Sequence, residues 1–143
     1  MPRIKHVDLS VDLPDEWWSA AGMCEFVPCR CTYNVGAPEH DNLRGRPVVV
    51  VPIRSVMPLH GRVLEHGMFR GREEVVQILH GFKEGSAIPP VLVVPLRPEA
   101  GFSHRLFSGA HRFYCALAAG YTHIPAIEVA AVLPRTRTRF DAA

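Results

Sequence analysis

An α+β fold, a compact mixed β-sheet with helices packed on it, is predicted by three features of this chain. Short β-branched runs are bounded by proline and glycine, helical apolar periodicity lies between them, and the two kinds of segment alternate from Arg46 onward. Pro47 to Ile53 is a β-branched run between prolines, the pattern of a buried strand. Gly71 to Glu84 reads as a helix whose apolar stripe is Val75, Val76, Ile78, Leu79 and Phe82. Gly85 stands just past its end, where a C-capping glycine belongs. Pro89-Pro90 forces an extended entry into a second core strand, Val91 to Val94. Arg97-Pro98-Glu99-Ala100-Gly101 predicts a turn, hence a hairpin to Ser103–Phe107. A second helix runs from about His111 to Ala119 and stops at Gly120, and Ile124 to Val129 is the last strand.

The chemistry is concentrated where the third strand meets the second helix, at Ser108-Gly109-Ala110-His111-Arg112-Phe113. A strand that turns at a glycine into a helix presents backbone N–H groups and the positive end of the helix dipole at one point. His111 and Arg112 add side-chain donors beside those amides. This is the chemistry of an anion pocket, most often a phosphate pocket. The competing reading is a helix start whose polar side chains face solvent or pair with a carboxylate.

Composition limits what that pocket can belong to. The 143 residues suffice for one domain with a core that needs no metal or disulfide. A net charge of +2 is too small to argue for nucleic acid, and the arginines at 135, 137 and 139 read as a solvated basic tail over 134–143. No run reaches the ~18 apolar residues of a membrane span. Residues 1–10 have no apolar segment behind their basic residues, so they do not read as a signal peptide. A soluble, cytoplasmic protein with no membrane partner is expected.

Residues 46–133 form the predicted domain, and 1–45 an extension of little periodicity packed on it. Within the extension, Cys24, Cys29 and Cys31 do not match the paired spacing of a zinc site, even with His40 as a fourth ligand. Burial as free cysteines is expected, with no metal. Trp17-Trp18 is expected to cap the core edge, with Met23, Phe26 and Tyr33 in packing roles. Exposed indole in this extension would also suit a homodimer. His60, His66, His80 and His104 lack a ligand spacing and are expected on the surface or in loops.

The order of elements and their punctuation resemble the ParB/sulfiredoxin-like family over about residues 47–130. Val51 to Pro58 is similar to the family's opening strand and its proline-containing exit loop, and Arg62 stands where many ParB-type domains carry an arginine. Ile88-Pro89-Pro90-Val91-Leu92-Val93 is similar to its proline-then-strand element, and Tyr121 to Ala126 to its closing strand. Gly109-Ala110-His111-Arg112 matches its nucleotide-phosphate motif in the His-Arg form of sulfiredoxins and free serine kinases.

The resemblance implies ATP, or another nucleoside triphosphate, with Mg²⁺. Its phosphates would be bound by Arg62, Ser108, Gly109, Ala110, His111 and Arg112. Phosphoryl transfer to a small molecule or protein would use His111, with Glu65 as the carboxylate near the acceptor; the alternative for Glu65 and His66 is a solvated loop. Two departures are plain. Sulfiredoxin chemistry requires a cysteine where Ala110 stands, and Cys115 lies about one helical turn beyond Arg112, so sulfinic-acid reduction is not expected. The helix positions that hold ATP in sulfiredoxins correspond to Glu74, Gln77 and Gly81, which are altered. The short stretch after the last strand leaves no room for a helix-turn-helix module, so DNA is not an expected partner. Two functions stay open: a nucleotide-dependent phosphotransferase or NTPase, and a non-catalytic nucleotide- or anion-sensing module.

Overall fold

The computed structural model describes residues 13–58 and 71–129; Arg62, Glu65, His60, His66 and the basic tail lie outside the described residues. One five-stranded sheet organises the chain, built from β1 (Val49–Pro52), β2 (Val56–Met57), β3 (Val91–Pro95), β4 (His104–Ser108) and β5 (His123–Glu128). Across the sheet the order is β1-β5-β3-β4-β2. β5 is antiparallel to β1 and parallel to β3, while β4 is antiparallel to β3 and parallel to β2. The sheet is therefore mixed, and with its helices the fold is α+β as predicted. No helix among the described residues is long and apolar enough to cross a membrane.

β3 lies inside the sheet and is apolar at every position from Val91 to Val94, all four buried. Its two faces serve two clusters. Val91 and Val93 join the main core under the helices, and Leu92 packs with Leu43 and Ile127 on the opposite face. A strand buried on both sides reads as a continuous apolar run, as this one does.

α2 (Arg72–Glu84) and α3 (Ala110–Ala119) cover the main face. On α2 the predicted stripe splits by depth: Val75, Leu79 and Phe82 are buried, and Val76 and Ile78 pack at the edge. Fully burying each of the larger side chains contributes about 1.5–3 kcal/mol. Gly85 ends α2 in the left-handed conformation at φ +74, and the Ser86 N–H bonds back to the Gly81 carbonyl at 2.9 Å.

A third helix, α1 (Asp15–Ala20), packs against α2. Periodicity could not show it, because six residues make under two turns. Its ends are readable in hindsight: Pro14 precedes it, its carbonyl accepting the Trp17 and Trp18 N–H groups, and Asp15 and Glu16 complement the dipole. Trp17 and Trp18 are half-buried against the core rather than displayed, which removes the exposed indole behind the dimer expectation. Met23 and Tyr33 are buried outright, and Tyr33 stacks on Phe82 at 5.2 Å between centroids.

The expected burial of the N-terminal cysteines is incorrect. Cys24, Cys29 and Cys31 are free and exposed; only Cys115 is free and buried. Their loop is held by backbone instead, the Cys31 carbonyl accepting the N–H groups of Thr122 (3.1 Å) and His123 (3.0 Å). Among the described residues no group of three or more His, Cys, Asp or Glu could hold a metal ion.

Candidate functional site

The turn from β4 into α3 begins with a slip in the sheet. Between Leu92 and Val93 the β3–β4 register shifts, so that Leu106 and Ser108 pair and Phe107 is left over, 41% exposed. Such a bulge bends the strand and re-aims the residues beyond it. Gly109 then takes φ +97, and α3 starts at Ala110. A Cβ at Gly109 would lie 2.9 Å from Val91 Cγ1 and 3.0 Å from Arg112 Nη2, so both dihedral and space demand glycine. The first bond within the helix runs from the Phe113 N–H to the Gly109 carbonyl at 2.9 Å. Ala110, His111 and Arg112 precede it, and their amides point out of the helix start. Ser108 to Arg112 thus come together in one turn.

Arg112 pairs with a carboxylate, as the competing reading of this helix start allows. Its side chain is only 12% exposed, and Nη2 lies over Gly109, donating to Glu39 Oε1 at 2.9 Å and to the Pro90 carbonyl at 3.4 Å. Nε is buried and has no hydrogen-bond partner among the described residues. The Tyr33 hydroxyl, beside this guanidinium, donates to the Pro89 carbonyl at 2.7 Å. Burial pushes the Tyr33 phenol far above its ordinary value, and the neighbouring Arg112 charge draws it only partly back. His111 Nδ1 faces Glu74 Oε2 at 3.8 Å, an ion pair when the imidazole is protonated.

Arg112 also lines a cavity of about 520 Å³. Glu74, Gln77 and Gly81 of α2 share its wall, together with His80, Ile88, Pro89 and the Ala20 end of α1. The helix positions singled out in the sequence therefore meet Arg112 in one space. A larger cavity, about 670 Å³, lies at the far end of α3 between the α2 C-terminus and the 25–34 loop, and none of Ser108–Arg112 lines it.

Cys115 cannot stand in for a nucleophile at Ala110. Its buried thiol is pushed up to about 12, chiefly by desolvation and secondarily by the Glu74 charge, so the reactive thiolate is suppressed.

Glu39 escaped the sequence reading because it precedes Arg112 by 73 residues, in a segment without periodicity. His80 is exposed as expected, whereas His104 departs from expectation. His104 opens β4 and is 12% exposed; Nδ1 lies 2.8 Å from Ser103 Oγ and Nε2 2.7 Å from Glu128 Oε2. Ser55 Oγ extends this chain at 3.1 Å from Ser103 Oγ. The carboxylate partner comes from β5, which flanks β3 on the other side, so no local pattern announces it. His80 belongs to α2 and to the cavity wall, with Nδ1 3.4 Å from the Ala21 carbonyl.

No family model and no curated protein matches the chain. Among solved structures it is similar to sulfiredoxin from Arabidopsis thaliana, with a TM-score of 0.48 and 14% identity, over 67% of this chain and 92% of that one.

Proposed function

We propose that this chain binds a nucleoside triphosphate, ATP or a relative with its Mg²⁺, with the phosphates on the Gly109–Arg112 turn and the nucleoside in the cavity beside it. The observation that carries this reading is that one residue, Arg112, belongs both to the helix start and to a cavity of about 520 Å³. Cavities of that size hold ligands of nucleotide dimensions. Ile78, Ile88 and Pro89 supply apolar wall, and Gln77 and His80 supply polar groups for a base or sugar.

The donors for a phosphate would be the first-turn amides and the Arg112 guanidinium, whose Nη2 packs close over Gly109 where the missing Cβ leaves room for it. Bound nucleotide would supply an electrophilic phosphorus and its metal. The role of this chain is to orient the phosphates, with His111, 3.8 Å from Glu74 through Nδ1, donating a hydrogen bond.

A phosphotransferase or NTPase acting on a small molecule or protein is the first reading of that binding, and a non-catalytic sensor the second. The Glu39–Arg112 pair favours the second, because that carboxylate serves as a counterion and not as a base. Thermal shift and phosphate release with Mg·ATP, Mg·CTP and Mg·GTP test both. Stabilisation that Arg112→Ala abolishes is expected from nucleotide binding. Turnover separates enzyme from sensor, and no stabilisation by any nucleotide contradicts the reading.

A further inference from the structure

We propose that Glu39 is a built-in competitor for the phosphate: its carboxylate occupies Arg112 in the resting protein, and nucleotide binding displaces it. The inference rests on the phosphate-binding reading and adds its regulation.

The guanidinium has two edges on which an oxyanion can dock with two parallel bonds. One carries Nε–H and Nη2–H together. On that edge Nη2 is taken by Glu39 Oε1 at 2.9 Å and by the Pro90 carbonyl at 3.4 Å, while the buried Nε has no partner among the described residues. Glu39 thus holds one half of a two-point site and leaves the other unsatisfied. A buried donor without a partner is unfavourable, and the present pairing does not relieve it. A phosphate oxyanion in the place of the Glu39 carboxylate would reach the same edge of the guanidinium.

The segment that carries Glu39 is anchored at both ends and exposed between them. Upstream it is pinned by the Val35–Ile88 bridge, with the Gly36 N–H on the Ile88 carbonyl at 2.8 Å and the Ile88 N–H on the Asn34 carbonyl at 2.9 Å. Downstream, Leu43 is buried with Leu92 and Ile127. Between these anchors Ala37, Glu39, His40 and Asp41 are exposed. Glu39 can leave Arg112 without disturbing the core, and its departure opens the fork and removes a negative charge from beside the phosphate.

The test is a titration of Mg·ATP, and separately of inorganic phosphate, into the wild type, Glu39→Gln, Glu39→Ala and Arg112→Ala proteins, each checked for folding by circular dichroism. Removing the charge is expected to tighten both ligands roughly five- to tenfold, the range for a half-exposed charge-assisted pair. Glu39→Ala guards against glutamine keeping the hydrogen bond. In the wild type, amide exchange over 37–42 is expected to quicken when Mg·ATP binds. Unchanged or weaker binding in both Glu39 variants, with binding still lost in Arg112→Ala, overturns the competitor role and leaves the phosphate site standing. Slower exchange over 37–42 with nucleotide bound overturns it too. Absence of binding in every variant overturns the inference together with the reading beneath it.

Discussion

Replacing Gly109 with alanine is expected to cost the fold about 2–5 kcal/mol, from two sources that can be separated. The first is conformational: Gly109 sits at φ +97, where an L-residue is disfavoured by about 1–2 kcal/mol. The second is steric, because the new Cβ would stand 2.9 Å from Val91 Cγ1 on a buried strand, and overpacking of this kind costs roughly 1–3 kcal/mol. Gly85 provides the reference, since it also has positive φ (+74) but open space around its Cβ position. Gly85→Ala carries the first cost alone. Urea unfolding followed by tryptophan fluorescence measures both variants; with m of about 1–2 kcal/mol/M, the Gly109 variant is expected to lose on the order of 2 M in midpoint relative to wild type, and the Gly85 variant about half as much. Equal midpoints for the two variants would refute the claim that β3 and α3 approach too closely for any side chain at this turn.

The other expectations come from burial. Ellman's reagent should label three thiols rapidly, Cys24, Cys29 and Cys31, and Cys115 only on unfolding; rapid labelling of a fourth would contradict its burial. The Cys115 thiol rises from its ordinary value near 9 to about 12, and the Tyr114 phenol from 10.0 to about 12, both chiefly by desolvation. A raised folded-state value means that stability is fully present below the unfolded value and falls as pH climbs from about 9 towards 12. The urea midpoint should therefore drop between pH 8 and pH 10.5, less steeply in Cys115→Ala, and a flat profile would refute the burial argument. Phe82→Ala, which empties a 4% exposed site against Tyr33 and Tyr121, should cost about 3–5 kcal/mol by the same unfolding assay. His104→Ala breaks the bonds to Ser103 and Glu128 and should cost about 1–2 kcal/mol, whereas a neutral result would make that chain dispensable.

What could be read in advance was what is local. The β3 strand announced itself through Pro89-Pro90 and four consecutive apolar residues, and α2 through a stripe ending at a capping glycine. The Gly109 turn was legible for the same reason: glycine, histidine and arginine are nearly contiguous, and their chemistry derives from the helix start they occupy. β2 was hidden because two residues carry no alternation, and α1 because it is too short to show a period. The partner of Arg112 was hidden for a different reason. A salt bridge across 73 residues depends on where the fold brings the chain back, and nothing around Glu39 marks it as a ligand for an arginine. The relay of His104 to Glu128 across β3 is of that kind as well.

The central claim is that phosphate seats on the first turn of α3. Backbone amide shifts of the ¹⁵N-labelled protein, recorded while Mg·ATP is titrated in, test it most directly. Saturating shifts centred on Gly109, Ala110, His111 and Arg112, spreading to Gln77 and His80 on the cavity wall, are the predicted result. Shifts elsewhere with these amides unmoved, or no saturable shift at millimolar nucleotide, would contradict it.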